Sequence, residues 1–312
     1  MSSMLKFIIK RVLWVIPVII CVAILIFTIM YLTPGDPVLQ IVGTNSTPEQ
    51  LAAVRSELGL DQPYLIQLKN YLINTFIRFD FGTSWMTNQS VLAQIKARLP
   101  YTLLIGLLSV LVAIVVGIPL GIMAATNQYN WKDSLAIFLS LFCVSMPQFW
   151  FALILVVVFA VQLGMLPAVG IRTWTGYVLP VVSTAVGAIA NIARQTRSSM
   201  LEVISQDYIT TARAKGQKER NVIYRHALRN ALNPIITIVG GIVAGVLGGT
   251  MVTEQIFSIP GIGSYLLTAV SARDYPVIRG SVLVISVMFC ICMLLVDILY
   301  VIVNPRMANE LR

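Results

Sequence analysis

Few side chains in this sequence could carry chemistry, and the types that metal sites and enzymes need are scarce. The 312 residues include one histidine, His226, and four cysteines that all fall inside apolar runs: Cys21, Cys143, Cys290 and Cys292. A metal site built from several histidines is therefore excluded. No G-x-x-x-x-G-K-[ST], H-E-x-x-H or G-x-S-x-G pattern occurs, so neither a phosphate-binding loop nor protease or lipase chemistry is supported. We predict no catalytic, cofactor-binding or metal-binding residues.

The most polar and basic segment, Ser205–Pro234, lies between two long apolar runs. Its first part, from Asp207 to Lys215, is predicted to form a short helix in which Asp207 caps the free N–H groups and Tyr208 and Ile209 begin the apolar face. Gly216 follows at the position where helices end in the left-handed conformation. At about 1.5 Å per residue the helix would be roughly 13 Å long, which is enough to fill a socket on a partner protein.

This segment reads D-Y-x-x-x-A-R-A-K-G and then H-A-L-R-N-A. It resembles the cytoplasmic coupling loop of ABC-importer permeases of the dipeptide, oligopeptide, glutathione and nickel branch. Ala212 and Gly216 match the Ala and Gly of that loop's signature, although Leu228 is followed by Arg229 in place of its closing Leu-Pro. The resemblance implies an ATPase-coupling set of Asp207, Tyr208, Ala212, Ala214, Lys215 and Gly216. The alternative is a basic cytosolic loop that only follows the charge asymmetry of membrane proteins.

The elements that would position this loop are transmembrane helices. The chain is 57% hydrophobic and 11% charged, its mean hydropathy is +0.84, and several apolar runs are long enough to cross a hydrocarbon core about 30 Å thick. We predict an all-α integral membrane protein. Ser145 and Pro147 are predicted to interrupt its third span. A further helical stretch, 218–232, is predicted to precede its fifth span. The six predicted spans are 8–32, 101–125, 135–161, 178–193, 235–252 and 281–303.

Six spans place both termini on one side of the membrane. Most of the 22 lysine and arginine residues then fall in segments on the side of the termini, so the positive-inside rule predicts cytoplasmic termini. The net charge of +9 follows membrane sidedness rather than nucleic-acid binding. The predicted divisions are 1–34 with the first span, 35–99 as an extracytoplasmic insertion, and 100–312 as a five-helix core with its coupling loop at 198–232. The insertion could be a lid or docking surface, or it could only brace the spans.

Two features inside the spans have both structural and functional interpretations. Gly241, Gly245 and Gly249 recur every four residues and so share one helical face, which favours close helix packing or, alternatively, a smooth wall of the translocation path. Asp297 is a carboxylate within the sixth span, where an unpaired charge would cost about 2.5–3.5 kcal/mol. A structural polar pair is favoured over a proton relay, because a relay needs further acidic sites.

The resemblance implies the type I ABC-importer permease fold in the bacterial cytoplasmic (inner) membrane. It also implies several partners: a second homologous permease subunit, two cytoplasmic ABC ATPase subunits and an extracytoplasmic substrate-binding protein. Among substrates, a short peptide is favoured over nickel, because Ni²⁺ prefers nitrogen and carboxylate ligands that the spans hardly offer. A nickel or metal-chelate importer of the same branch stays an alternative. A secondary transporter or a membrane enzyme would need internal repeats or a nucleophile–base set, and neither is evident.

Overall fold

The structure is a computed structural model that describes residues 2–43 and 46–303. These residues are nearly all helical, and Thr83 and Ser90 form an isolated antiparallel bridge. The all-α fold predicted from the sequence is confirmed. In chain order the α-helices are α1 (Ser2–Leu32), α2 (Pro37–Val42), α3 (Pro48–Glu57), α4 (Tyr64–Phe76), α5 (Val91–Thr126), α6 (Trp131–Ser145), α7 (Gln148–Leu155), α8 (Val178–Ile204), α9 (Asp207–Ala214), α10 (Glu219–Asn221), α11 (Leu228–Ile256), α12 (Ile262–Ala272) and α13 (Tyr275–Val303).

Within the described residues, five helices are long and apolar enough to cross a membrane. A sixth span results if α6 is counted together with α7 and the π-helical segment that continues it (Val156–Gln162). The two helices meet at an angle of 102°. Met146, between the two helices, is extended with ψ 131°, and Pro147 lies directly before α7. Helix α6 ends here because proline cannot continue its helical hydrogen bonding. The predicted interruption at Ser145 and Pro147 is therefore confirmed.

The helices extend further than hydropathy predicts. The second span begins at Val91 rather than near 101, and the fourth runs on to Ile204, beyond its predicted end at 193. The helical stretch predicted at 218–232 and the fifth span form one run, in which a π-helical segment (Val222–Ala227) joins α10 to α11. Polar residues at the ends of a span lower the hydropathy without breaking the helix.

The chain divides into two compact units. The first, which we call the coupling unit, comprises the described residues within 1–10, 103–259 and 291–312. The second, the insertion unit, comprises 11–102 and 260–290. The three-part division predicted from the sequence stays a prediction.

In the coupling unit, α8 is the most buried of the candidate spans described, and it contacts α6, α7 and α11. Close approach of α5 to α8 depends on two glycines. A Cβ atom at Gly117 would lie 2.9 Å from the Ile192 side chain, and one at Gly121 would lie 2.5 Å from the carbonyl oxygen of Ala193. The absence of a side chain at these two positions lets the helix backbones touch.

A charged pair ties the start of α6 to α8. The Arg197 guanidinium donates to both carboxylate oxygens of Asp133, from Nε at 2.6 Å and from Nη2 at 2.8 Å. The Asp133 side chain is 5% exposed and that of Arg197 is 23% exposed, so the pair is largely shielded from water. Bidentate geometry of this kind fixes orientation as well as distance. The pair therefore holds α6 in one register against α8.

The insertion unit is held by polar contacts between segments far apart in the chain. The Asp274 carboxylate accepts a hydrogen bond from the Ser84 hydroxyl at 2.5 Å and from the backbone N–H of Trp85 at 3.1 Å. Thr102 Oγ1 accepts from the backbone N–H of Ile262 at 2.9 Å, at the start of α12. These bonds attach residues before and within the first part of α5 to α12 and to the connection between α12 and α13.

Candidate coupling site

Helix α9 lies in the predicted segment, and different residues determine where it begins and where it ends. Gln206, with φ −79° and ψ 148°, is the N-cap and makes no side-chain capping bond, so the predicted capping role of Asp207 is wrong. Asp207 is instead the first helical residue, where its negative charge favours the positive end of the helix dipole. At the other end Gly216 has φ +74°, which confirms the predicted left-handed position.

The C-terminus of α9 is closed by two backbone hydrogen bonds. The N–H of Gly216 donates to the carbonyl of Arg213 at 2.9 Å, and the N–H of Gln217 donates to the carbonyl of Ala212 at 3.4 Å. These bonds, together with the left-handed glycine, satisfy carbonyls that would otherwise lack partners. They stop the helix after Ala214 and redirect the chain towards α10.

One face of α9 is buried in the coupling unit. Ile209 is fully buried and Ala212 is 8% exposed, and their spacing of three residues puts both on the same side of the helix. They pack in a cluster drawn from α5, α8 and the α10–α11 run, whose other members are Ile122, Ala125, Met200, Val222, Ile223, Ala227, Ala231 and Ile235. Ala212 therefore does not face outward, and the expectation that it belongs to the surface that meets an ATPase is corrected.

The opposite face of α9 is exposed. Of the six residues in the predicted coupling set, all except Ala212 are exposed: Asp207, Tyr208, Ala214, Lys215 and Gly216. Tyr208 is 43% exposed, which corrects its predicted place on the apolar face. Its hydroxyl accepts a hydrogen bond from Asn230 Nδ2 at 2.9 Å, so the ring is anchored to α11 while one side stays open.

Two further side-chain pairs fix the loop that follows α9. The Arg213 guanidinium donates to both carboxylate oxygens of Glu219, at 3.2 Å and 2.8 Å, and this bonding raises the pKa of Arg213 above its ordinary value. His226 Nε2 lies 2.8 Å from Gln217 Oε1. The single histidine thus has a structural hydrogen-bond partner in the loop.

The burial of α9 allows it to transmit force. Because α9 is joined through one apolar cluster to α5, α8 and α11, a displacement of α9 would move the ends of three spans together. Its exposed face is polar and carries both charge signs. The site thus presents charged and hydrogen-bonding side chains on an exposed surface that is tied to three spans.

Replacing Gly216 with valine is expected to uncouple transport while the spans stay inserted. A β-branched residue at φ +74° is strained by about 1–3 kcal/mol, and no described atom lies within 4 Å of a Cβ atom there, so the strain is purely conformational. Substrate uptake should fall in Gly216→Val and be largely retained in Gly216→Asn, because asparagine tolerates the left-handed region. Equal uptake by the two variants would contradict this role.

Two of the three predicted glycines of α11 have no close neighbour within this chain, and their predicted role in helix packing or in the pathway stays a prediction. A Cβ atom at Gly241 or Gly245 would meet no described atom within 4 Å, whereas one at Gly240 would collide with Val296. The surroundings of Gly249 lie outside what the structure describes. Asp297 has an interaction partner, as expected of a carboxylate in a span, although its function stays a prediction. Gly241 and Gly245 form an open face of α11 in this subunit.

A buried polar cluster in the coupling unit was not found from the sequence. Thr253 Oγ1 lies 3.0 Å from Gln148 Nε2 and 3.0 Å from Thr184 Oγ1, which links α7, α8 and α11. Single polar residues in apolar helices give no signal of this kind, because the three come from distant parts of the sequence. The cluster fixes α7 after the sharp bend at Pro147.

Comparison with known proteins gives the class to which this loop and these spans belong. Residues 117–309 match the family described as the inner membrane component of binding-protein-dependent transport systems, and residues 4–106 match the N-terminal region described for such components. The chain belongs to this family. It is therefore an ABC-importer permease of the multi-pass inner-membrane type, as the sequence predicted, and permeases of this class work with ATPase subunits and a substrate-binding protein.

Relatives match over nearly the whole chain. A putative peptide transport system permease protein of Brucella abortus (strain 2308) is 43% identical over 315 residues, covering 98% of this chain and 100% of the relative. The glutathione transport system permease protein GsiC of Salmonella typhimurium is 40% identical over 302 residues, covering 97% of this chain and 98% of the relative. These matches put the chain in the peptide and glutathione branch of the permeases.

A solved structure supports the fold. The inward-facing MetNI methionine ABC transporter matches with a TM-score of 0.54 at 16% identity, and the match covers 71% of this chain and 97% of the solved chain. At this identity the likeness concerns the fold alone. It confirms the predicted type I permease architecture.

Proposed function

We propose that this chain is the membrane subunit through which an ATP-driven importer moves short peptides into the cytoplasm. The observation that carries the coupling half of this proposal is α9, which is buried on the Ile209–Ala212 side and polar on its exposed side. A short helix anchored in this way fits a groove on a cytosolic ATPase, whose closure on ATP would move the attached spans as rigid levers. The sequence has no phosphate-binding loop, so we infer that ATP is hydrolysed by separate subunits.

The coupling set then has two kinds of member. Asp207, Tyr208, Ala214 and Lys215 would contact the ATPase, whereas Ala212 would hold the helix against the spans. Gly216 would set the direction in which the chain leaves the helix. We infer that both termini lie in the cytoplasm, since this puts the basic 198–232 loop there and the 35–99 segment on the outer side.

A second, homologous permease subunit is proposed to complete the pathway. The open face of α11 at Gly241 and Gly245 supports this, because glycine-rich faces let helices approach closely across an interface. The same face could instead line the passage between the two subunits. Asp297 is proposed to be a structural polar residue rather than part of a proton relay.

Short peptides are the proposed substrates, on the strength of relatives named for peptide and glutathione transport. A strain lacking this gene should lose uptake of short peptides and keep nickel accumulation. The physical reason is that a peptide brings its own hydrogen-bonding groups, whereas a bare Ni²⁺ ion would have to shed water with few ligands to replace it. Loss of nickel accumulation with unchanged peptide uptake would reject this substrate class.

A further inference from the structure

Arg279, near the start of α13 in the insertion unit, is a cation held by aromatic rings. Its guanidinium carbon lies 5.0 Å from the ring centre of Phe27, 5.4 Å from that of Tyr71 and 5.9 Å from that of Tyr275. Nε is buried and has no hydrogen-bond partner. Among the described residues no acidic side chain forms an ion pair with Arg279. Such a cation retains unused capacity for an anion.

The rings around Arg279 are themselves fixed. Phe27 and Tyr71 are stacked with centroids 5.4 Å apart, and Phe27 also contacts Tyr64 at 5.7 Å. The Tyr64 hydroxyl lies 2.7 Å from the Thr28 hydroxyl, which holds α4 against α1. The guanidinium is therefore positioned by packing before any ligand arrives, and preorganised groups bind at a lower entropic cost.

Two cavities meet at this guanidinium. One has a volume of about 500 Å³ and the other about 270 Å³, and both are lined by Phe27, Leu60, Gln67 and Arg279. The larger volume lies within the range of roughly 300–1,000 Å³ that is usual for small-molecule sites. A small anion could therefore reach the arginine and still have room for the rest of the molecule.

The lining of the larger cavity suggests what that molecule is. Its polar side chains include hydroxyls, four amides and two carboxylates, among them Gln62, Asn70, Asn74, Glu57 and Asp80. Amide side chains pair well with peptide groups, since each offers both a donor and an acceptor. The carboxylates suit an ammonium group. A ligand with one carboxylate, one ammonium and peptide bonds between them matches all three kinds of partner.

The smaller cavity adds little net charge. Asp36 and Arg55 both line it, and they are joined to each other in an ion pair. The positive charge that the two cavities share is thus that of Arg279, while Glu57 and Asp80 supply the negative charges of the larger cavity. A guanidinium can hold a carboxylate through two parallel N–H···O bonds, which gives both affinity and orientation.

We propose that the insertion unit contains a peptide site of its own, in which Arg279 binds the C-terminal carboxylate of a short peptide and the larger cavity, with its amide side chains, holds the peptide backbone. This inference rests on the proposed function, because it takes short peptides as the substrates and the 35–99 segment as extracytoplasmic. The site would receive the peptide on the outer side, separately from the substrate-binding protein. It acts by binding alone and involves no covalent step.

The test uses the assembled importer, with its partner permease and ATPase subunits but without the substrate-binding protein. Binding of tri-alanine, of tri-alanine C-terminal amide and of inorganic phosphate would be measured by equilibrium titration. Tri-alanine is expected to bind at least about tenfold more tightly than its amide, a factor that corresponds to about 1.4 kcal/mol. Equal affinity for the two peptides, no measurable tri-alanine binding, or phosphate binding as tight as that of tri-alanine would overturn the inference.

Two substitutions test whether Arg279 causes the preference for tri-alanine over its amide. Arg279→Gln should remove the difference between tri-alanine and its amide, whereas Lys69→Gln should keep it. Lys69 is a matched control because it is an exposed cation on α4 that lines neither cavity. An unchanged preference in Arg279→Gln would overturn the inference. If that variant fails to assemble, the comparison of the two peptides on the unmodified complex still decides.

Uptake by the complete system separates this inference from the proposed function. If tri-alanine is imported but the complex without its binding protein does not prefer it over the amide, the proposed site at Arg279 is rejected and peptide import stands. If no short peptide is imported while assembly is normal, the proposed function itself fails. Import together with a carboxylate preference that disappears in Arg279→Gln supports both.

Discussion

Ala212→Asp is expected to destabilise the chain and abolish transport. Ala212 is 8% exposed and packs with Ile209 in the apolar cluster that joins α9 to three spans. A carboxylate there would be buried without a partner, and leaving a buried charge uncompensated costs about 3–5 kcal/mol. Helix α9 would have to detach from this cluster to expose the charge to water. Thermal unfolding of the purified chain, together with uptake in cells, measures the effect.

Ala214→Asp is the matched control for this variant. Ala214 lies on the same helix two residues further on and is exposed, so the same new charge remains in water. Its effect on the stability of the isolated chain should be within about 0.5 kcal/mol. Association with the ATPase is a separate readout, since Ala214 is on the proposed contact face. A stable Ala212→Asp chain, or equal destabilisation by both substitutions, would contradict the buried position of Ala212.

Gly121→Ala is the second change with a large expected effect. The new methyl group would lie 2.5 Å from the carbonyl oxygen of Ala193 and 2.5 Å from Thr196 Cβ, and the backbone of α8 cannot move away without repacking. Overpacking of this kind costs about 1–3 kcal/mol and occasionally more. The melting temperature of the purified chain should therefore fall clearly.

Gly187→Ala, on α8, is expected to have the opposite effect on the stability of the chain. No described atom lies within 4 Å of a Cβ atom at Gly187, so the methyl group meets open space in this subunit. Alanine is the better helix former by about 1 kcal/mol, and the chain should be as stable as before or slightly more stable. If Gly121→Ala and Gly187→Ala had the same effect on stability, the close approach of α5 to α8 would be wrong.

Local signals in the sequence predicted the local features of the site. Gly216 was found because a left-handed residue strongly favours glycine, and the break at Pro147 was found because proline cannot continue a helix. The six apolar runs indicated the spans, although polar ends such as Val91–Pro100 were missed since hydropathy falls there while the helix continues. These features depend on neighbours within a few residues.

Orientation between elements could not be predicted in this way. The coupling loop's pattern identified Ala212 but did not tell whether it faces the spans or a partner, because that depends on which apolar residues of α5 and α11 come near it. The four-residue glycine pattern likewise defines a face of α11 but not its neighbour, and Gly240 rather than Gly241 is the residue in tight contact within this chain. Periodicity shows which residues share a face and leaves open what covers it.

Arg279 was missed for a related reason. Its aromatic neighbours Phe27 and Tyr71 come from distant helices, and only Tyr275, four residues earlier on α13, gives a local hint. A lone arginine near the start of an apolar run resembles an ordinary interfacial residue. The cavities beside it exist only once α1, α4 and α13 are packed together.

Cross-linking from α9 tests the central claim, that its exposed face binds the ATPase, most directly. A single cysteine would be placed at Thr210, which is exposed, in a chain whose four native cysteines are replaced. A control cysteine would be placed at Glu49, which is exposed on α3 in the segment proposed to lie outside. In native membranes a short bismaleimide should join the Thr210 variant, and not the Glu49 variant, to a cysteine introduced in the ATPase groove. Absence of that product in an assembled complex that hydrolyses ATP and transports, or an equal yield from Glu49, would contradict the assignment.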